Sequence, residues 1–187
     1  RKLSMDLSML TLQFDQNALK DKNRFELLIT DENELSGLPE SARDAAAMLA
    51  KSKDKNGWLF NLSAPSYIPF MRYSDKRDLR EKMYREYMSV GNKGDEFDNK
   101  DIIKKIVNIR LEIAQLMGFK NYAEYALEHT MAKNSANVYK LLNQLLEAYK
   151  PIAINEYNAV EGFALGTEKE NITVMPWDWS YYSEKLR

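Results

Sequence analysis

WLFNLSAPSYIPFMR, residues 58–72, joins a strand pattern to two prolines and several aromatic side chains, with no charged group before Arg72. Trp58, Phe60 and Leu62 fall on one face of an extended chain, which predicts a half-buried strand. Aromatic side chains at this spacing more often belong to a core than to a ligand cage. We therefore expect the other elements, mostly helices, to pack around this stretch.

The prolines of the same stretch predict a short helix. Pro65 suits the first helical turn after a cap at Ser63 or Ala64. The helix would run towards Tyr73, and Pro69 should bend or shorten it because a proline ring clashes with the carbonyl four residues back.

Length and charge limit the classes of protein. The chain has 187 residues, 27 basic and 28 acidic side chains and a net charge of −1. A chain of this length can bury one core, so we expect residues 1–187 to form a single helical section. The mixed charges leave no basic stripe for nucleic acid, and no segment approaches the ~20 apolar residues of a membrane helix. The lack of cysteine permits a reducing compartment, and the cytoplasm is the expected location.

A second strand is predicted by the alternation of residues 25–29, and the alanine-rich ESARDAAAMLAKS, residues 40–52, predicts a helix after Pro39. Strand, helix, strand in this order favours a right-handed parallel crossover. The extra turn at residues 31–37 leaves antiparallel pairing open.

The rest of the chain is predicted to be helical, which makes the fold class mainly α, a multi-helix array with a minor two-stranded β element. Helices are predicted to start at a cap on Asp75, at Asn99 or Asp98, at Asn121, at Ser135 and at Pro176. The helix that starts at Ser135 should kink at Pro151, and residues 166–171 are predicted to form a loop. The first helical stripe has no cap before it and the last helix stops at Arg187, so we expect both ends to be cut within elements. Apolar faces at residues 3–14 and 177–186 would then stay uncovered and favour self-association.

The helix predicted over residues 101–118 has so wide an apolar arc that other helices should surround it. Arg110 lies near the middle of this arc, between Ile103, Ile106 and Ala114. A buried guanidinium cannot shed its charge, so a bidentate carboxylate or several backbone carbonyls are expected around it. The alternative is an aliphatic stem along the core with the charged head in solvent.

Candidate catalytic residues are few. No H-E-x-x-H, P-loop or G-x-S-x-G motif occurs, and the one histidine, His129, is expected to be a partly exposed residue near a helix end. The pairs Glu32/Glu34 and Asp95/Glu96 lie in polar loops, where carboxylates are ordinarily solvated.

Asp178, between Trp177 and Trp179, is the most notable acid in the sequence. Flanking indoles could desolvate its carboxylate. Helix capping after Pro176 is nevertheless the favoured interpretation.

Four ordered motifs carry a family resemblance: ELSGLPES (34–41), WLFNLSAPSYIPFMRYSDKRDLREKMYREY (58–87), FDNKDIIKKIVNIRLEIAQLMGFKNYAEYALEHTMAK (97–133) and PWDWSYYSEKLR (176–187). Together they resemble the thimet-oligopeptidase family of zinc metallopeptidases, most closely its bacterial peptidyl-dipeptidase (dipeptidyl carboxypeptidase) branch. The resemblance implies a mostly helical protein around a deep channel for short peptides. Zinc would be held by an H-E-x-x-H motif and a further glutamate that lie downstream of these residues. No catalytic, cofactor-binding or metal residue is therefore assigned to any position here.

Two functional hypotheses follow. The first is a section of a larger helical channel-forming peptidase that hydrolyses short peptides. This section would supply helical channel wall, would contact the remaining part of the same chain, and would be inactive alone because zinc belongs to the full-length parent. The alternative is a stand-alone helical module that binds proteins or peptides. A module should begin and finish with capped helices, and the reading frame beyond Arg187 should contain H-E-x-x-H on the first hypothesis.

Overall fold

The computed structural model describes residues 1–168 and 172–187. Within these residues the chain forms eight α-helices, a 3-10 helix at Glu32–Leu35 and two short strands. The elements are α1 (Lys2–Arg24), β1 (Leu27–Ile29), α2 (Glu40–Ser52), β2 (Trp58–Phe60), α3 (Ala64–Tyr73), α4 (Arg77–Met88), α5 (Lys100–Leu116), α6 (Tyr122–Leu127), α7 (Ser135–Thr167) and α8 (Pro176–Leu186). The predicted fold class is confirmed. Helix α7 extends into the predicted loop at residues 166–171, and residues 169–171 of that loop lie outside the described residues.

The chain divides into two compact units. The sheet unit contains residues 19–93 and 157–187, and the helical unit contains residues 1–18 and 94–156. Helices α1 and α7 therefore contribute residues to both units.

The two strands pair antiparallel, with Leu27 opposite Phe60 and Ile29 opposite Trp58. The favoured parallel crossover was therefore wrong, and the alternative that the 31–37 turn left open is the observed one. Gly57 explains how the chain enters β2 so close to β1. Its φ is +115°, and a Cβ there would lie 2.2 Å from the Ile29 carbonyl oxygen.

Residues 58–72 form β2 and α3 as predicted, and they contribute to the core of the sheet unit. The prediction that the strand is only half-buried was wrong, because Leu59 on its other face is buried as fully as Phe60. Ser63 is the N-cap residue of α3, Pro65 lies in its first turn, and the helix continues past Pro69. Phe60 packs edge-to-face on Phe70 with ring centroids 4.8 Å apart. The core contains Leu27, Ile29, Leu35, Leu38, Ala46, Phe60, Leu62, Phe70, Met71, Met83 and Trp177.

The helical unit buries fewer side chains. Asn99 is the N-cap residue of α5, and its amide nitrogen donates to the Phe14 carbonyl (3.0 Å) while its amide oxygen accepts from Asn17 (3.1 Å). Helix α5 buries only Ile102, Ile106 and Ala114. Asn121 caps α6, as predicted, by accepting the Glu124 backbone N–H.

Arg110 contradicts the prediction of a buried, paired guanidinium. It is exposed, and its Cζ lies 5.3 Å from the centroid of the Tyr122 ring. The physical reason is that α5 packs along a narrow strip and leaves other members of its apolar arc, Ile103, Val107 and Leu111, exposed. The described residues do not surround this helix.

The apolar surface is distributed differently from the prediction. On α1 the stripe within residues 3–14 is half-buried, and the exposed large apolar residues of this helix are Met5, Met9, Leu12 and Leu19. On α8 most aromatic side chains are buried, with Trp179 and Leu186 exposed. The longest run of exposed apolar residues is on α7: Leu141, Leu142, Leu145, Leu146 and Tyr149.

Candidate functional site

The first turn of α8 carries a buried carboxylate. Pro176 starts the helix after Met175, and the Asp178 carboxylate accepts the Met175 backbone N–H at 3.0 Å. The predicted capping role of Asp178 is confirmed. Asp178 caps the helix from its third position, by accepting the backbone N–H of the N-cap residue. Its side chain is fully buried, so it must find further partners.

Two arginines from α4 supply these partners. Arg77 binds both carboxylate oxygens of Asp178, with its Nη2 at 2.7 Å from Oδ2. Arg80, 1% exposed, places Nη2 at 2.9 Å from Oδ1. Its other nitrogens donate to the Ser74 carbonyl (2.7 Å) and the Trp177 carbonyl (3.3 Å). This buried charge is compensated by hydrogen bonds to a carboxylate and two carbonyls.

Sequence reasoning missed Arg80, although a signal was present. On a helix, Arg80 shares a face with Met83, Tyr84 and Tyr87, at spacings of three, four and seven residues. Met83 is fully buried on that face. The same geometry that was applied to Arg110 would therefore have selected Arg80 on α4.

The cluster keeps Asp178 ionised. Burial raises the pKa of Asp178, but hydrogen bonds from Arg77, the Met175 N–H and Arg80 together hold that pKa below its ordinary value. A carboxylate in this state at neutral pH does not donate a proton. Its chemical contribution is to fix α8 against α4, not acid catalysis.

A second hydrogen-bond network, around Asp75, contacts the later turns of α8. Asp75 accepts hydrogen bonds from Tyr181 and Ser36, each at 2.7 Å, and lies 3.2 Å from Lys185 Nζ. Burial raises the pKa of Asp75, and these hydrogen bonds outweigh burial and lower it. Asp75 was predicted to cap α4. That prediction was wrong, because Lys76 is the N-cap residue and the Asp75 carboxylate is engaged by α8.

The remaining candidate residues lie at the surface or are half-buried. His129 follows α6, is exposed as expected, and lies 3.6 Å from Glu128. Glu32, Asp95 and Glu96 are exposed and Glu34 is half-buried.

No three histidine, cysteine or carboxylate side chains of the described residues are arranged to hold a metal ion. The sequence also lacks H-E-x-x-H. The residues present therefore do not fit a zinc site of the kind that the family resemblance implies.

The geometry thus defines a buried charged clamp, Asp178 with Arg77 and Arg80, that fixes α8 against α4. Residues 70–187 match the profile of Peptidase family M3. The match covers more than half of the chain, and the chain belongs to this family of metallopeptidases. The predicted family membership is confirmed.

The relatives include both oligopeptidases and a dipeptidyl carboxypeptidase. The chain is 41% identical to oligopeptidase A of Haemophilus influenzae, in a match that covers 97% of this chain. It is 38% identical to a probable cytosolic oligopeptidase A of Arabidopsis thaliana, in a match that covers 100% of this chain. It is 28% identical to the dipeptidyl carboxypeptidase of Escherichia coli over 99%. Identity is thus higher to these oligopeptidases A. In each case the chain spans 27% of the relative's own length.

No described helix is both long enough and apolar enough to cross a membrane.

Proposed function

We propose that residues 1–187 are a non-catalytic section of a zinc-dependent oligopeptidase or peptidyl-dipeptidase that hydrolyses short peptides. In this role the section contributes helical wall to the peptide channel. Family membership and the names of the relatives support the reaction class, and the name of the cytosolic Arabidopsis relative supports a cytoplasmic location.

The observation that carries the proposal is the apolar stripe on α7. This α7 stripe consists of Leu141, Leu142, Leu145, Leu146 and Tyr149, and each is between 43% and 61% exposed. Contiguous apolar surface of this kind marks a face that packs on another surface. We assign that surface to the remaining part of the same polypeptide, since the relatives are almost four times as long as this chain. While uncovered, the stripe favours self-association.

A chimera tests the proposal. Residues 1–187 would replace the matching section of Haemophilus influenzae oligopeptidase A, which is 41% identical. We expect the chimera to cleave a blocked, internally quenched oligopeptide and to lose activity to a zinc chelator. The isolated chain should not cleave the peptide.

Two results would overturn the proposal. One is a chimera that folds with a cooperative melt but does not cleave. The other is chelator-sensitive cleavage by the isolated chain that survives substitution of His129, which would give this chain its own active site.

A further inference from the structure

An apolar cleft lies at the start of α8 in the sheet unit. It is open to solvent, has a volume of about 410 Å³ and is lined by Tyr84, Tyr157, Val174, Met175, Pro176 and Trp179. The volume lies within the range of small-ligand sites, which are typically apolar and aromatic with a few polar groups. The Tyr157 and Trp179 rings are nearly parallel, with planes 7° apart and centroids 5.9 Å apart. Both remain accessible, at 43% and 39% exposure.

The clamp described above fixes the walls of this cleft. Asp178 holds the Met175 N–H, and Arg77 donates to both the Thr173 carbonyl (3.0 Å) and Asp178. Hydrogen bonds to Arg77 and Asp178 therefore join the segment before α8 to the first turn of α8. Tyr157 is oriented by its hydroxyl, which donates to Glu161 at 3.2 Å. Such pre-organisation lowers the ordering cost of binding.

A polar cleft shares Trp179 in its lining with the aromatic cleft. It encloses about 270 Å³, and its lining includes Arg72, Ser180, Ser183 and Glu184. The Ser183 hydroxyl oxygen is buried and has no hydrogen-bond partner among the described residues. Arg72 is exposed and offers guanidinium donors to a carbonyl or carboxylate.

We propose that Trp179 separates the two halves of a peptide-binding subsite. A bulky apolar side chain of a short peptide would occupy the aromatic cleft, and the peptide backbone would reach the polar cleft at the exposed Arg72. A peptide carries both chemistries a few ångströms apart, which a purely apolar ligand does not. The inference rests on the proposed function for its choice of ligand, and it adds the side-chain class and the residues that select it.

Nuclear magnetic resonance of the full 187-residue chain tests the site directly. The indole N–H signals of the three tryptophans would be followed during titration with two blocked tripeptides, Ala-Phe-Ala and Ala-Ser-Ala. We expect a saturable shift of the Trp179 signal with the Phe peptide, at least ten-fold weaker binding of the Ser peptide, and little movement of the Trp58 signal. Trp179→Ala should weaken Phe-peptide binding at least ten-fold, and Trp179→Phe should restore most of it.

Matched controls and the chimera sharpen the test. Tyr139→Ala removes an exposed aromatic that does not line the cleft and should leave binding unchanged.

In the chimera, Trp179→Ala should raise KM for Phe-containing peptides about ten-fold with kcat kept, because uniform binding is lost. A Trp179 signal that does not respond, or a response equal for both peptides, overturns the subsite. An inactive chimera with a selective response overturns the proposed function but leaves the subsite standing.

Discussion

Both units contain helices with apolar faces, but they bury these faces to different extents. The sheet unit closes around its own core and buries even a charged clamp, Arg80 with Asp178, at 1% and 0% exposure. The helical unit buries few side chains of α5 and leaves the α7 stripe, Leu141, Leu142, Leu145, Leu146 and Tyr149, exposed. The difference shows that an apolar pattern predicts that a face will be covered without saying which part of a protein covers it. The apolar faces of the sheet unit pack against one another. We propose that the exposed apolar face of the helical unit packs against another part of the polypeptide.

The largest effect should come from breaking the clamp. Asp178→Ala strands the buried Arg80 guanidinium without a charged partner, so we expect a loss of about 3–5 kcal/mol in the free energy of unfolding. Chemical denaturation monitored by circular dichroism would measure it. The double variant Asp178→Leu/Arg80→Met should lose less than the sum of its two single changes, because removing both charges leaves neither unpaired.

Arg110→Met is the matched control, since it also removes an arginine from a helix. Arg110 is exposed and contacts the Tyr122 ring, so its loss should change stability by no more than about 0.5 kcal/mol. Equal losses for Arg80→Met and Arg110→Met would contradict the contrast between the two units.

The clamp should also respond to acid. The pKa of Asp178 is lowered in the folded state, so its ionised form stabilises the fold above the unfolded pKa of about 3.9. That stability is lost as pH falls through the folded pKa. We expect the melting temperature of the chain to drop below about pH 5, and the drop to be shallower in Asp178→Asn.

Glu26→Gln serves as the comparison for the acid response. The hydrogen bonds from Lys53 and Lys55 also lower the pKa of Glu26, but that group is near the surface, where solvent screens the interaction. Its substitution should change the acid profile little. A profile that depends more on Glu26 than on Asp178 would mean that the clamp is not the main acid-sensitive contact.

The smallest stability effect should come from the α7 stripe. Replacing Leu142, Leu145 and Leu146 by Ser removes exposed apolar surface, so the isolated chain should lose little stability, while its self-association in sedimentation falls. A loss above about 2 kcal/mol would show that these leucines are already buried in solution.

Sequence patterns predicted much of the fold because local rules decide it. The strand at residues 58–60 follows from alternation, the helix after Ser63 from proline geometry, and the cap at Asn121 from its side-chain acceptor. Asn99 also starts its helix as predicted, although its side chain makes no capping hydrogen bond. Strand direction was not decided locally, because it is a property of the pairing between two strands about 30 residues apart in the sequence.

The clamp was only half predictable from sequence. Asp178 was recognised as a helix-capping acid, but its arginines lie about 100 residues away in sequence and no local pattern links them. Arg110 was misplaced because a helical wheel shows which face is apolar and not whether the fold covers it.

Amide hydrogen exchange, compared between the isolated chain and the oligopeptidase A chimera, tests the central contrast most directly. In the isolated chain, amides of β1, β2 and α3 should be strongly protected and those of residues 141–149 weakly protected. In the chimera, protection of residues 141–149 should rise markedly, while β1, β2 and α3 change little. Equal protection of residues 141–149 in both proteins would contradict the account, because the α7 stripe would then gain no cover from the rest of the enzyme.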